Sequence, residues 1–313
     1  MPFKDIPLND GNKIPAIAYG TGSVNKGKDV HLYVEQAIEV GFSHIDTAQY
    51  YQNEEHVGTA IRETGLARPE LFVTTKYGGG SVSGAFDDSL RKLGLKYIDL
   101  YLIHNPRGVE NGDLEGTWRK FEKFQEEGLA KSIGVSNFAV EDLQKVLKTA
   151  RVKPAVNQIH LHPYNVSENK ELLEYHAKHG IVTEANEVST HPPNLGLSRG
   201  HPGGPVDVPV KKAAERLGIT PTQVVFLWVR AKGAVIVTTS SSKEHLLEYL
   251  AVGDLPDLTE EEVAAIDAAG ANGPPSFLTR HGRLWAQVVL ALLLVQLLFY
   301  YSAFGGLMNW HGQ

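Results

Sequence analysis

From Ile17 to Leu250 the chain alternates short apolar runs that end in polar residues with longer stretches of helical periodicity. The apolar runs are Ile17–Tyr19, His44–Asp46, Leu71–Lys76, Tyr97–His104, Lys131–Val135, Ala155–Leu161, Ile181–Ala185 and Ala234–Thr239. Each is followed by a helical stretch: Asp29–Val40, Glu54–Thr64, Ser81–Leu93, Leu114–Glu127, Val140–Thr149, Glu168–His179, Val208–Leu217 and Lys243–Leu250. Thr222–Ala231 reads as an extra helix before the last strand. Leu258–Ala268 makes one more, opened by Thr259 and Glu262 at capping-box spacing. Ahead of the series, Ile6–Ile14 reads as a hairpin around Asn9-Asp10-Gly11. Eight strand–helix repeats with parallel crossovers predict an α/β fold, a (β/α)8 TIM barrel with an N-terminal β-hairpin and two extra helices. A doubly wound sheet is the alternative. No G-x-G-x-x-G follows an early strand, and Gly78-Gly79-Gly80 reads as a loop rather than a phosphate cradle.

The pattern changes after the barrel. Leu284–Met308 carries no charged residue, and its strongly polar members are Gln287 and Gln296. About 20 apolar residues span a bilayer core as a helix, so this run is long enough. Arg280, His281 and Arg283 precede it, which predicts that the main domain stays on the cytosolic side. A core helix or a gene-model error at the end are the bland alternatives. The domain expectation is a barrel over 1–273, a linker over 274–283 and a C-terminal apolar helix, a transmembrane tail anchor, over 284–308. The expected location is the cytosolic face of an intracellular membrane such as the endoplasmic reticulum, and otherwise the cytoplasm.

Charge and cysteine content narrow the partners. A net charge of −6 implies no basic face for nucleic acid. The absence of cysteine excludes disulfides and thiolate chemistry. The first residues are polar and predict no secretory leader.

Residues at the ends of the strand-like runs form a chemically coherent set. Asp46 and Tyr51 follow the second run, Lys76 the third and His104 the fourth; Ser136-Asn137 and Gln158 come from the next two. In a barrel such ends converge on one face. A lysine cation beside a tyrosine favours phenolate over phenol, and Asp46 is placed to keep Lys76 charged. His104 is placed to position a carbonyl oxygen near Tyr51. The result is a general acid for an oxygen that gains charge as something adds to the carbonyl carbon. Any one of these residues alone is explained by capping a strand end; four compatible groups are not.

The stretches GFSHIDTAQYYQNEEHVGTAI, YIDLYLIHNP, KSIGVSNF and AVNQIHLHPY, together with VTTSSSKEHLLEYL, resemble the signature blocks of the aldo-keto reductases over roughly residues 5–273. The resemblance implies a catalytic tetrad of Asp46, Tyr51, Lys76 and His104, with NADPH across the barrel mouth. Hydride would pass to an aldehyde or ketone carbon and Tyr51 would protonate the oxygen. The resemblance further implies that Ser136, Asn137 and Gln158 hold the nicotinamide carboxamide and that Thr21 and Gly22 lie beside the cofactor. At the adenosine end, Ser240, Ser241, Lys243 and His245 stand at a helix N-terminus suited to phosphate, with Ser241 and Glu244 at capping-box spacing. Glu248 completes the expected cofactor contacts. The serine-rich form of this end is similar to the fungal conjugated-polyketone and α-keto-amide reductase branch.

Departures from the family pattern concern the pocket. Asn105 and Gly22 stand where tryptophans are frequent, which predicts a wider and more polar pocket. His160 replaces a frequent glutamate. Thr239 and His245 stand where many relatives have a lysine and an arginine, which weakens the preference for NADPH over NADH. Asn186 occupies the position of a tyrosine that stacks on the nicotinamide, within an enlarged Pro/Gly-rich stretch, Glu184–Pro205. That stretch is either a true active-site loop or a mis-spliced segment. The expected substrates are small carbonyls, α-dicarbonyls or keto lactones before sugars, acted on by a monomer. The competing expectation is a catalytically inactive barrel acting as a membrane-tethered NADPH-binding or partner-docking module.

Overall fold

The computed structural model describes residues 3–186, 204–273, 290–297 and 299. Two short strands, β1 (Asp5–Pro7) and β2 (Lys13–Pro15), pair antiparallel as the opening hairpin. The strands that follow are β3 (Ile17–Gly20), β4 (His44–Asp46), β5 (Phe72–Tyr77), β6 (Ile98–Ile103), β7 (Ala130–Ser136), β8 (Val156–His160), β9 (Val182–Asn186) and β10 (Val235–Thr238). All pair in parallel, and β10 bonds to both β9 and β3, so the sheet closes. Closure rules out the doubly wound alternative.

The helices are α1 (His31–Val40), α2 (Glu54–Glu63), α3 (Val82–Leu93), α4 (Leu114–Glu126), α5 (Val140–Thr149), α6 (Lys170–His179), α7 (Asp207–Leu217), α8 (Pro221–Ala231), α9 (Lys243–Ala251) and α10 (Glu260–Gly270). Two of them, α8 and α10, exceed one helix per strand. Local chemistry sets their ends. Ser81 accepts from the Gly84 amide at the start of α3, and Gly94 closes that helix at φ 68. Thr220 and Gln223 form a capping box at the start of α8 with Pro221 behind it. Gly58 is required by packing: a Cβ there would lie 2.6 Å from the carbonyl oxygens of Lys92 and Leu93, so α2 and α3 approach as closely as their backbones allow.

Period-two alternation sorts the strand residues. One set faces the helices in the main apolar layer, with Ile45, Val73, Tyr101 and Ile133 among its buried members. The other set faces the barrel axis. Its lower part is apolar: Leu100, Leu102, Val156 and Val235 cluster with Leu8 and Ile14 of the hairpin segment, which plugs the end where the strands begin. Its upper part is polar, with Asp46, Thr74, Lys76, Gln158 and Glu184 all buried. Asp46, Lys76, Gln158 and Glu184 thus gather toward the end where the strands finish, while His44 and Ser132 are buried near strand starts.

Most of the expected tail anchor lies outside the described residues. Residues 290–297 are helical and exposed. Among the described residues no helix is long and apolar enough to cross a membrane.

Candidate active site

Asp46 ends β4, Lys76 lies on β5, His104 follows β6, and Tyr51 closes a single helical turn, Gln49–Tyr51, after β4. These elements bring the four side chains together. Lys76 has no exposed surface. Its Nζ donates to Asp46 Oδ1 at 2.6 Å and to the Thr47 carbonyl at 3.0 Å, and it reaches Tyr51 Oη at 3.4 Å. Burial works against the ammonium, but the charge of Asp46 and the proximity of Tyr51 hold the Lys76 pKa above the ordinary lysine value. The His104 ring stands edge-on to Tyr51 with centroids 5.5 Å apart. Burial, then the positive charges of Lys76 and Lys26, depress the His104 pKa to about 3. His104 is therefore a neutral imidazole near pH 7, able to donate one N–H without adding charge.

Tyr51 is held from several sides. Its carbonyl accepts from the Gly27 amide at 2.8 Å, and its amide donates to the Ala48 carbonyl at 2.9 Å. Gly22 packs against its ring: a Cβ at Gly22 would lie 2.8 Å from Tyr51 Cζ. Asn105, by contrast, is exposed, and its side chain accepts from the Arg107 amide at 2.9 Å.

The residue that sequence reasoning missed here is Asn53. Its Nδ2 donates to the carbonyls of Thr21 (2.8 Å) and Asn25 (3.2 Å), and its Oδ1 accepts from the Thr21 and Thr47 hydroxyls, both at 3.3 Å. The loop after β3 is thereby tied to the loop that carries Tyr51. An asparagine before Glu54-Glu55 reads as a helix cap, yet its side chain caps nothing in α2. Thr21 is buried with its hydroxyl bonded to Thr47 Oγ1 at 2.9 Å, so it shapes the loop from within.

Ser136, Asn137 and Gln158 meet beside the tetrad. Asn137 adopts φ 60, and its Nδ2 donates to the His104 carbonyl at 3.0 Å and to Ser136 Oγ at 3.1 Å. Gln158 Nε2 donates to Asp46 Oδ2 at 2.8 Å and to Glu184 Oε2 at 2.9 Å. With these amide nitrogens engaged, Asn137 and Gln158 have their amide oxygens left and Ser136 its hydroxyl hydrogen. Two acceptors and one donor are the complement of a primary carboxamide. The donor set therefore fits a nicotinamide.

At the start of α9 the cap is Ser242 rather than the expected Ser241. Ser240 Oγ accepts from the Ser242 amide at 3.0 Å, which delays the helix by one residue, and Ser242 Oγ accepts from the His245 amide at 3.4 Å. Ser240 Oγ lies 3.4 Å from His245 Nδ1, while Ser241 and Lys243 are exposed at the helix N-terminus. Hydroxyls, a cation and the positive end of a helix suit a phosphate. Glu248 faces another way: its carboxylate accepts from Thr220 Oγ1 at 2.5 Å and ties α9 to α8. Asn186 ends β9 beside His160 of β8. His160 is exposed and packs on His162 with ring centroids 4.5 Å apart. The stretch 187–203 that follows Asn186 lies outside the described residues.

A model of the Aldo/keto reductase family matches residues 16–188. An aldo-keto reductase of Mycolicibacterium vanbaalenii is 40% identical over 265 residues, 83% of this chain and 90% of its own. A protein of Saccharomyces cerevisiae named NADPH-dependent alpha-keto amide reductase is 36% identical over 287 residues, 86% of this chain and 91% of its own. Among solved structures, that of a Bombyx mori aldo-keto reductase in complex with NADP superposes with TM-score 0.76 at 35% identity, covering 85% of this chain and 92% of the other.

Proposed function

Because the chain belongs to the aldo/keto reductase family and is an NADPH-dependent oxidoreductase, we propose that it reduces aldehydes and ketones to alcohols with Tyr51 as the proton donor. The observation that carries this reading is the Lys76 ammonium, buried between Asp46 Oδ1 at 2.6 Å and Tyr51 Oη at 3.4 Å. Bound NADPH supplies a hydride to the carbonyl carbon. Ser136, Asn137 and Gln158 would hold its carboxamide, and Ser240, Ser241, Lys243 and His245 the phosphate at its adenosine end.

The remaining chemistry is the chain's own. His104, neutral, donates a hydrogen bond to the carbonyl oxygen and fixes it near Tyr51. Charge grows on that oxygen during reduction, and the Tyr51 hydroxyl gives up its proton to it. Lys76 stabilises the phenolate left behind, and Asp46 keeps Lys76 charged through the cycle. A positioned acid of this kind contributes roughly 10²–10⁴-fold to rate.

For substrate, the reading is a carbonyl with a second carbonyl or carboxamide next to it, or a keto lactone. It is supported by the exposed, polar Asn105 at the mouth and by the relative named for α-keto amides. NADPH oxidation measured with α-dicarbonyls, keto lactones, simple aldehydes and aldoses tests it. α-Dicarbonyls should turn over fastest; a preference for aldoses would exclude this substrate class, and oxidation with no carbonyl would exclude the reaction. We also propose that the apolar stretch 284–308, exposed and helical over 290–297, anchors the barrel at its C-terminal end. The tagged full chain should then stay with membranes in high salt and leave them in detergent. Release by salt alone would refute the anchor.

A further inference from the structure

One of the buried acids that the mechanism leaves unused lies against the tetrad. Glu184, on β9, has no exposed surface, and its Oε1 has no hydrogen-bond partner among the described residues. Its Oε2 accepts from Gln158 Nε2 at 2.9 Å, and the same amide donates to Asp46 Oδ2 at 2.8 Å. Two carboxyl groups thus share one amide inside the barrel.

The groups around Glu184 decide its state. From β4 come Asp46 and His44, and from β5 Lys76; the nearest side of β8 supplies the uncharged Gln158. His44 Nε2 lies 4.0 Å from Glu184 Oε1 but is bonded to Thr74 Oγ1 at 2.8 Å. Burial above all depresses the His44 pKa to about 3, so it brings no charge near neutrality. Lys76 is the one cation here among the described residues, and it is bonded to Asp46 at 2.6 Å. Two carboxylates against one ammonium would leave a buried negative charge uncompensated, which is strongly unfavourable. One proton removes it. The Lys76 ammonium is bonded to Asp46 and not to Glu184, so the proton belongs on Glu184, whose Oε1 has no partner among the described residues. Burial and the charge of Asp46 push the Glu184 pKa up to about 8.

We propose that Glu184 is a positioning residue: as a neutral acid it fixes the Gln158 amide between two carboxyl groups and keeps the Asp46–Lys76–Tyr51 relay charge-balanced. The proposal rests on the carbonyl-reductase reading for its effect on rate, though not for the protonation itself. When the proton leaves, the added negative charge opposes the field of Lys76 at Tyr51. The tyrosine then becomes a poorer donor and reduction slows.

Glu184→Gln preserves the shape and the neutral state. In the wild type, kcat for reduction should fall through a limb near pH 8. The fall should be roughly tenfold, the effect of about one pKa unit at the donor. In Glu184→Gln that limb should be absent. Superimposable pH profiles would overturn the proposal. The second measurement is carboxyl NMR of the wild-type full chain labelled at glutamate, without cofactor or substrate. One glutamate should titrate near pH 8. If every glutamate titrates in the ordinary carboxylate range, or a buried aspartate takes the alkaline titration instead, the proposal is wrong whatever the activity. Because this reading needs no turnover, its failure is distinguishable from failure of the carbonyl-reductase assignment, and it stands even where the variant does not fold.

Discussion

At the scale of residues, the site depends on how tightly Tyr51 is confined. In Gly22→Ala the new Cβ would lie 2.8 Å from Tyr51 Cζ. The ring must move, so kcat should fall roughly tenfold or more, as misplacement of about 1 Å at a reacting group can cost 10²-fold. Unchanged kcat in a folded Gly22→Ala protein would show that the ring position is not limiting. Buried histidines set the acid response. His44 and His104 are held near pKa 3 and His176 near 4, mainly by burial, against 6.5 for the free side chain. The unfolded chain therefore binds more protons than the folded one below pH 6.5, and stability present above that pH is lost as pH falls towards these folded values. Urea titrations between pH 7 and pH 4 should show this loss, and His44→Gln should reduce its slope by up to about 1.4 kcal/mol per pH unit. The tetrad was legible in the sequence because Asp46, Lys76 and His104 end strand-like runs and Tyr51 lies in the loop just after one. Asn53 and Glu184 were not, since one looks like an ordinary helix cap and the other like any strand residue until the barrel closes.

At the scale of elements, the strands and helices were readable because apolar spacing switches between two periods. Their ends were less so, because caps are decided by local hydrogen bonds that spacing does not carry. Ser241 with Glu244 has the spacing of a capping box, yet Ser240 takes the Ser242 amide and moves the cap to Ser242. Likewise α6 begins at Lys170, after a turn in which Asn165 and Asn169 bond to the His160 carbonyl. Close helix approach is a further property invisible to periodicity. Gly58→Ala would set a Cβ 2.6 Å from two backbone oxygens of α3. Its expected cost is about 1–3 kcal/mol, read as a lower unfolding midpoint with an unchanged denaturant slope. A variant as stable as the wild type would mean that α2 and α3 can separate freely.

At the scale of the whole molecule, the barrel divides its interior into an apolar end plugged by Leu8 and Ile14 and a polar end that holds the site. That division could be foreseen from strand ends alone, whereas the shape of the pocket could not. Its walls depend on Asn105, on Gly22 against Tyr51, and on the stretch beyond Asn186. The central claim is that this end protonates a carbonyl oxygen through Tyr51, and Tyr51→Phe tests it most directly. Cofactor fluorescence and NADPH oxidation would be followed on the same preparation with an α-dicarbonyl substrate. Turnover should fall at least about 10²-fold, the lower bound of what a positioned acid contributes, while NADPH still binds. Reduction persisting in Tyr51→Phe within a few-fold of the wild-type rate would contradict it.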